Sequence, residues 1–231
     1  MSRQRTLVLL GGGGHGAVVA EAARASGWSV VGFLDDDEHH PRTEQVNLKH
    51  LGAIEDLATV LASLPKGTAA YAAVGDPAVR RRWLDAADET EAPAIIHPSA
   101  VVSPSAALTE GAFIGPGAIV NARAVIERGV IVNSGALIEH DCVLEAFCHV
   151  APGAVLGGRV TVGRDALVGL NATVLPGVRI GAAATLGAGA VAVSDIPEAA
   201  TAVGVRPPLP GLPQFLDALA LGPRLGVLGR R

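Results

Sequence analysis

The chain has 231 residues, of which 49% are hydrophobic, 17% charged and 3% aromatic, with a formal net charge of -4. No basic field or ring-rich surface is available to hold nucleic acid, and no apolar run approaches the ~20 residues of a membrane-spanning helix, so both partners are excluded. Two cysteines build no disulfide framework and the stretch before the first glycines is too short for a secretory leader, so one large or two small domains in a reducing, cytoplasmic setting are expected.

In chain order, "TLVLLGGGGHGAVVAEAARASGWSVVGFLDDD" reads as an apolar strand, a glycine loop, an amphipathic helix and a second strand ending in acids. Gly11, Gly13 and Gly16 fit the G-x-G-x-x-G spacing, and Asp35 follows Gly16 by 19 residues, near the place of a ribose-binding acid. A further helix, strand and helix follow before residue 95, which leaves room for about half of a dinucleotide fold. A glycine loop at a helix N-terminus in such a half-fold is an anion site suited to one nucleotide diphosphate. "DDDEHH" at 35–40 is expected to be a solvated turn rather than a metal cluster, and Arg80, Arg81 and Arg82 a solvated helix face.

A period of six then runs through the second half. Stepping by six from Ile96 to Leu186, all sixteen residues are aliphatic, and the residue four places after each is Ala, Val or Cys. One large and one small inward position per hexad suit a short parallel strand and a tight turn, with three hexads closing a triangular coil, so a parallel β-helix of slightly more than five coils is expected. Cys142 and Cys148 fall on the small inward position and read as core filler. His140, at a turn, stacks one coil of 18 residues from Ala122 and Gly158, both small, which leaves a notch beside the ring. His149 shares an outward column with Phe113, Ile131, Leu167 and Thr185, and a second outward column holds Val101, Ile119, Leu137, Val155 and Val191. Apolar columns outside a solenoid need cover, and an identical subunit is the economical one, so a homotrimer is expected with His149 in a subunit seam.

The hexads resemble those of hexapeptide-repeat acyltransferases, whose coils are left-handed. Within that class, "IEHDCVLEAFCHVAPGAVLGGRVTVG" is similar to the active-site coil of the bacterial sugar acetyltransferases related to the sialic acid O-acetyltransferase and the bacillosamine-pathway acetyltransferase. The resemblance, which includes the glycine loop "GGGGHG" and the "AVGVRPP" stretch, spans about residues 6–208. It implies His140 as general base and an adjacent acid orienting its ring. That acid is Asp141, where relatives often carry the longer glutamate, with Glu139 as the alternative. His149, Gly158, Gly187 and Gly189 would then meet acetyl-CoA as co-substrate, without a metal. Gly13, His15, Gly16, Asp35, Asp36 and Gly75 would border the nucleotide-sugar.

The expected organisation is an α/β half-Rossmann domain at 1–94, a left-handed β-helix at 95–194 and a C-terminal tail at 195–231. The expected activity is acetylation of an amino or hydroxyl group on a nucleotide-linked sugar. O-acetylation of a free sialic acid-type sugar and a non-catalytic nucleotide-sugar scaffold are the alternatives.

Overall fold

The structure, a computed structural model, describes residues 5–37, 47–87 and 92–204. Residues 38–40 of the 35–40 turn and nearly all of the tail beyond Ala202 lie outside the described residues.

The N-terminal unit is a three-stranded parallel sheet in the order β2-β1-β3, from β1 (Arg5–Leu10), β2 (Trp28–Leu34) and β3 (Ala69–Ala72). Helix α1 (Gly14–Ala25) joins β1 to β2; a 3-10 turn and α2 (Leu57–Ser63) lead to β3, and α3 (Pro77–Ala86) follows it. The strands are apolar on both faces, as a parallel sheet covered by helices requires. Leu7 and Leu9 face α1, and Val8 and Leu10 face α2 and α3. Helix α3 starts sharply, because Pro77 occupies its first turn and the Asp76 carboxylate accepts from the Val79 N–H.

From Ile95 the chain forms a left-handed parallel β-helix of seventeen two-residue strands, β4 (Ile95–Ile96) to β20 (Val191–Ala192), followed by β21 (Thr201–Ala202). They build three sheets, the faces of a triangular prism. One face carries the strands that begin at Ile95, Phe113, Ile131, His149, Leu167, Thr185 and Thr201. The next carries those from Val101, Ile119, Leu137, Val155, Thr173 and Val191, and the third those from Ala107, Val125, Val143, Thr161 and Arg179. The second residue of each strand and the residue four places later fill the interior, Cys142 and Cys148 among them. Burial pushes both thiols up, most strongly at Cys148, so neither is a thiolate at neutral pH.

At the turns after β6 (Ala107–Leu108) through β19 (Thr185–Leu186), the third residue after the strand adopts positive φ. Glycine fills that place in many coils, but Arg123, Asp141, Phe147, Arg159, Asp165, Asn171 and Ala183 take it at φ between 52° and 63°. Pro116, Pro152 and Pro176 precede such a glycine, where a locked φ suits the turn.

The N-terminal unit docks on the first face, and the expectation for the Phe113 column is corrected here. Phe113 and Ile131 are fully buried, but under their own chain: they share one apolar cluster with Leu7, Leu9, Val19, Trp28 and Tyr71. The correction concerns these two residues: a hexad pattern shows that a face is apolar without showing what lies on it, and Leu167 of the same column is 36% exposed. The second face remains bare, with Val101 62%, Val155 38% and Val191 57% exposed.

The basic run is corrected as well. Arg80 is fully buried and donates to the carbonyls of Val74, Gly75, Gly129 and Phe147, so one guanidinium ties the β3–α3 loop to two coils. Arg81 pairs with Asp165 and lies over the Phe147 ring at 4.7 Å. Arg80 shares a helix face with Trp83 and Leu84, three and four positions on, which carries it inward; Arg82 alone is exposed.

Candidate active site

The glycine loop is shaped by three close approaches. Gly11 has φ 108°, a Cβ on Gly12 would meet the Phe33 ring at 2.2 Å, and one on Gly16 would meet the Gly11 carbonyl at 2.4 Å. Gly16 is therefore spent on packing α1 against β1. Gly13 and Gly75 face open space, with no atom within 4 Å of where a Cβ would stand. Asp35 braces the loop by accepting from the Gly12 N–H at 2.7 Å, and Asp36 accepts from the Ile54 N–H at 3.1 Å. Beside Asp36 a cavity of about 830 Å³ opens between α2 and α3, lined by Ile54, Leu57, Leu61, Arg82 and Trp83. It is remote from His140, on the side of the sheet away from the docked face.

His15, at the start of α1, meets Phe113 edge-on with ring centroids 5.3 Å apart, and its buried Nε2 has no hydrogen-bond partner among the described residues. Burial first, then His149 and the Arg80 cation, push its pKa down to about 4. His149 is likewise pushed to about 4 by burial and then by Arg80. Its Nε2 lies 3.1 Å from Asn133 Nδ2, while Asn133 Oδ1 accepts from the Ser134 N–H at 2.8 Å. The amide orientation is thus set, Nε2 of His149 accepts, and its Nδ1 carries the proton of a neutral ring. The structure therefore brings His15 and His149 together at the docked face.

His140 stands elsewhere, on the vertex between the second and third faces, directly opposite the docked one. It stacks as the spacing predicts: the Asp141 N–H donates to the Ala122 carbonyl below, and the Arg159 N–H to the His140 carbonyl above. Asp141 reaches the ring despite its short side chain, with Oδ2 2.7 Å from His140 Nδ1, while Glu139 accepts only from the His140 backbone N–H. A carboxylate can only accept, so Nδ1 bears the proton and Nε2 keeps its lone pair. Arg123, one coil below, grips both Asp141 oxygens at 2.6 and 2.9 Å. This arginine, then His140, holds the carboxyl well below the usual range, so Asp141 is ionised. Nε2 points at Gly158, where a Cβ would lie 2.7 Å from it. Gly187 and Gly189 lie in a turn at the vertex between the first and second faces, three coils above Asn133 or about 14 Å at the usual strand spacing.

Arg123 and Asn133 are not singled out by the sequence, and Arg80 reads there as solvated. Arg123 carries a usable signal, an opposite charge one coil of 18 residues from Asp141. Asn133 has only its nearness to His149 on the next coil, and Arg80 only its helix phase.

Residues 6–87 match the model of the PglD N-terminal domain. Over most of its length the chain is similar to perosamine N-acetyltransferase from Caulobacter crescentus, solved with CoA and GDP-perosamine. The identity is 38%, over 86% of this chain and 94% of that one, with a TM-score of 0.80. The chain belongs to the family of bacterial sugar acetyltransferases. The acetyltransferase domain of PglB from Neisseria gonorrhoeae, solved with acetyl coenzyme A, is a second similar member, 37% identical over 87% of this chain and 97% of that one, with a TM-score of 0.79. Among curated proteins, a tetrahydropyridine-dicarboxylate N-acetyltransferase of Staphylococcus aureus is 41% identical over 64 residues, so the chain spans only 27% of that relative's length. In this family member no helix among the described residues is long and apolar enough to cross a membrane.

Proposed function

We propose that the chain transfers an acetyl group from acetyl-CoA to an amino or hydroxyl group of a nucleotide-linked sugar, as a homotrimer, with His140 as general base. The observation that carries this reading is the set of bonds at His140: Nδ1 tied to an ionised Asp141, and Nε2 aimed into the notch left by Gly158. A base held in one tautomer accepts a proton from the attacking amine or hydroxyl at Nε2, and Asp141 stabilises the imidazolium that forms.

The residues present fit the co-substrate. Gly158 admits a chain next to the ring, and Gly189 has open space where a Cβ would stand. His149, kept neutral, offers an Nδ1–H donor near the docked face. Acetyl-CoA, when bound, supplies the thioester carbonyl. The open backbone of Gly13 and Gly75, the unpaired Nε2 of His15 and the cavity beside Asp36 favour the N-terminal unit as the holder of the nucleotide-sugar.

The fold also favours a shared site. The glycine loop sits on one face and His140 on the opposite vertex of the same prism, so a sugar held by one protomer meets the His140 of a neighbour. The bare second face runs from the Asn133 vertex to the His140 vertex, and packing it against a copy closes the distance between them.

Thiol release from acetyl-CoA with amino sugars linked to UDP, GDP or CMP tests the activity, and light scattering tests the assembly. Turnover with one acceptor, a trimer mass and a 10²- to 10⁴-fold loss in His140→Ala are expected. Near wild-type turnover in His140→Ala would remove the base, and a stable, active monomer would remove the shared site.

A further inference from the structure

We infer that Arg123 is a positioning residue that sets the pH range in which His140 works, acting through the carboxylate the two side chains share. The inference rests on the assignment of His140 as base.

The geometry is a fork closed on one carboxylate. Arg123 Nε meets Asp141 Oδ1 and its NH2 group meets Oδ2, while His140 Nδ1 meets that same Oδ2. A planar guanidinium matched to both oxygens fixes the carboxylate plane, which a single bond to the imidazole does not. Asp141 is one methylene shorter than glutamate, so its reach to the ring depends on being held in this one orientation. The backbone contributes as well, since Arg123 and Asp141 occupy the same left-handed turn position in consecutive coils, at φ 59° and 60°, which stacks their side chains.

The fork also has an electrostatic effect. An uncompensated carboxylate at 2.7 Å from Nδ1 would draw a proton onto the ring and hold it as the imidazolium, which is no base. Arg123 places a full positive charge on the far side of that carboxylate and offsets part of its field at the ring. The other charged groups around His140 are Glu139 beside it, whose carboxylate accepts from the His140 backbone N–H, and Arg159 on the coil above, bonded through its backbone to the His140 carbonyl. Neither side chain is bonded to the imidazole. Asp141 is the one carboxylate on Nδ1, and Arg123 is the cation that grips it. The pair is partly exposed, Arg123 at 65% and Asp141 at 33%, so solvent screens the effect to a modest size.

The test compares the full-length protein with Arg123→Gln, following the acidic limb of kcat/KM for the acceptor sugar and, in the ligand-free protein, the NMR titration of the His140 ring, assigned with His140→Gln. Both are expected to move to higher pH in Arg123→Gln. Arg123→Lys, which keeps the charge and loses the fork, is expected to leave the titration near that of the wild type while lowering kcat. In an Asp141→Asn background, Arg123→Gln should move nothing further. Coincident titrations of wild type and Arg123→Gln would overturn the inference, as would an equal shift in the Asp141→Asn background. The base assignment fails separately: turnover retained in His140→Gln removes it whatever the titration shows.

Discussion

The docked face and the far vertex use the same side chain in opposite ways. At the docked face, His15 and His149 lose their hydration to the N-terminal unit and lie near a buried guanidinium, so both are pushed to about 4 and are neutral at physiological pH. At the vertex, His140 is 46% exposed and has an ionised carboxylate on Nδ1. Desolvation makes an imidazole a neutral donor or acceptor for fixed contacts, whereas an exposed ring paired with a carboxylate is the setting that the proposed base requires. Position on the prism decides which setting each histidine has.

The strongest way to break the contrast is to loosen the docked face that buries the two rings. Arg80→Met leaves four carbonyls without their donor and frees the β3–α3 loop from the coils. A loss of about 3–5 kcal/mol in unfolding free energy is expected, measured by urea titration at pH 7. An unchanged midpoint would mean that apolar contacts alone hold the docked face.

Gly158→Ala acts at the vertex only. Its methyl group would stand within 2.7 Å of Nε2, so the ring must turn away from its notch. A fall in kcat/KM on the order of 10- to 10²-fold, with little change in melting temperature, is expected. A variant that melts early instead would show that the glycine serves the coil rather than the ring.

A third test sharpens the contrast through pH. His15 and His149 have folded-state pKa values below the ordinary 6.5, so between pH 6.5 and about 4 the unfolded chain binds protons that the folded one refuses. Stability therefore falls as pH drops through that window, with a limiting slope of about 1.4 kcal/mol per pH unit for each group. His149→Gln should flatten this loss, seen as a narrowing gap between variant and wild type in unfolding free energy at pH 7, 5.5 and 4.5. Parallel curves would place the protonation elsewhere.

The prism was legible because a period of six with paired large and small positions has one economical solution, and the stacking of His140 between Ala122 and Gly158 followed by counting. Contacts between units were not legible. Phe113 and Ile131 read as outward and apolar, and nothing in their spacing distinguishes a subunit from the chain's own α1 as their cover. Arg80 read as solvated because a run of three arginines suggests a charged face, whereas helix phase sends the first of them inward. Asp141 was readable as a neighbour of His140, but its grip by Arg123 required a pairing across coils between residues that local motifs do not connect. Glycine loops present a similar limit. Gly13 and Gly16 look alike in the motif, yet one faces solvent and the other is pressed against a carbonyl.

The left-handed turn position has a consequence for descent. Glycine costs nothing there, whereas Arg123 holds φ 59° at a penalty of about 1 kcal/mol. On the proposed reading, a lineage no longer selected for turnover gains by letting both vertex residues drift to glycine, which smooths the prism and takes the carboxylate from His140. On that reading, a related solenoid that keeps the charged pair on consecutive coils is expected to release thiol from acetyl-CoA, and one with two glycines there is expected to be inactive.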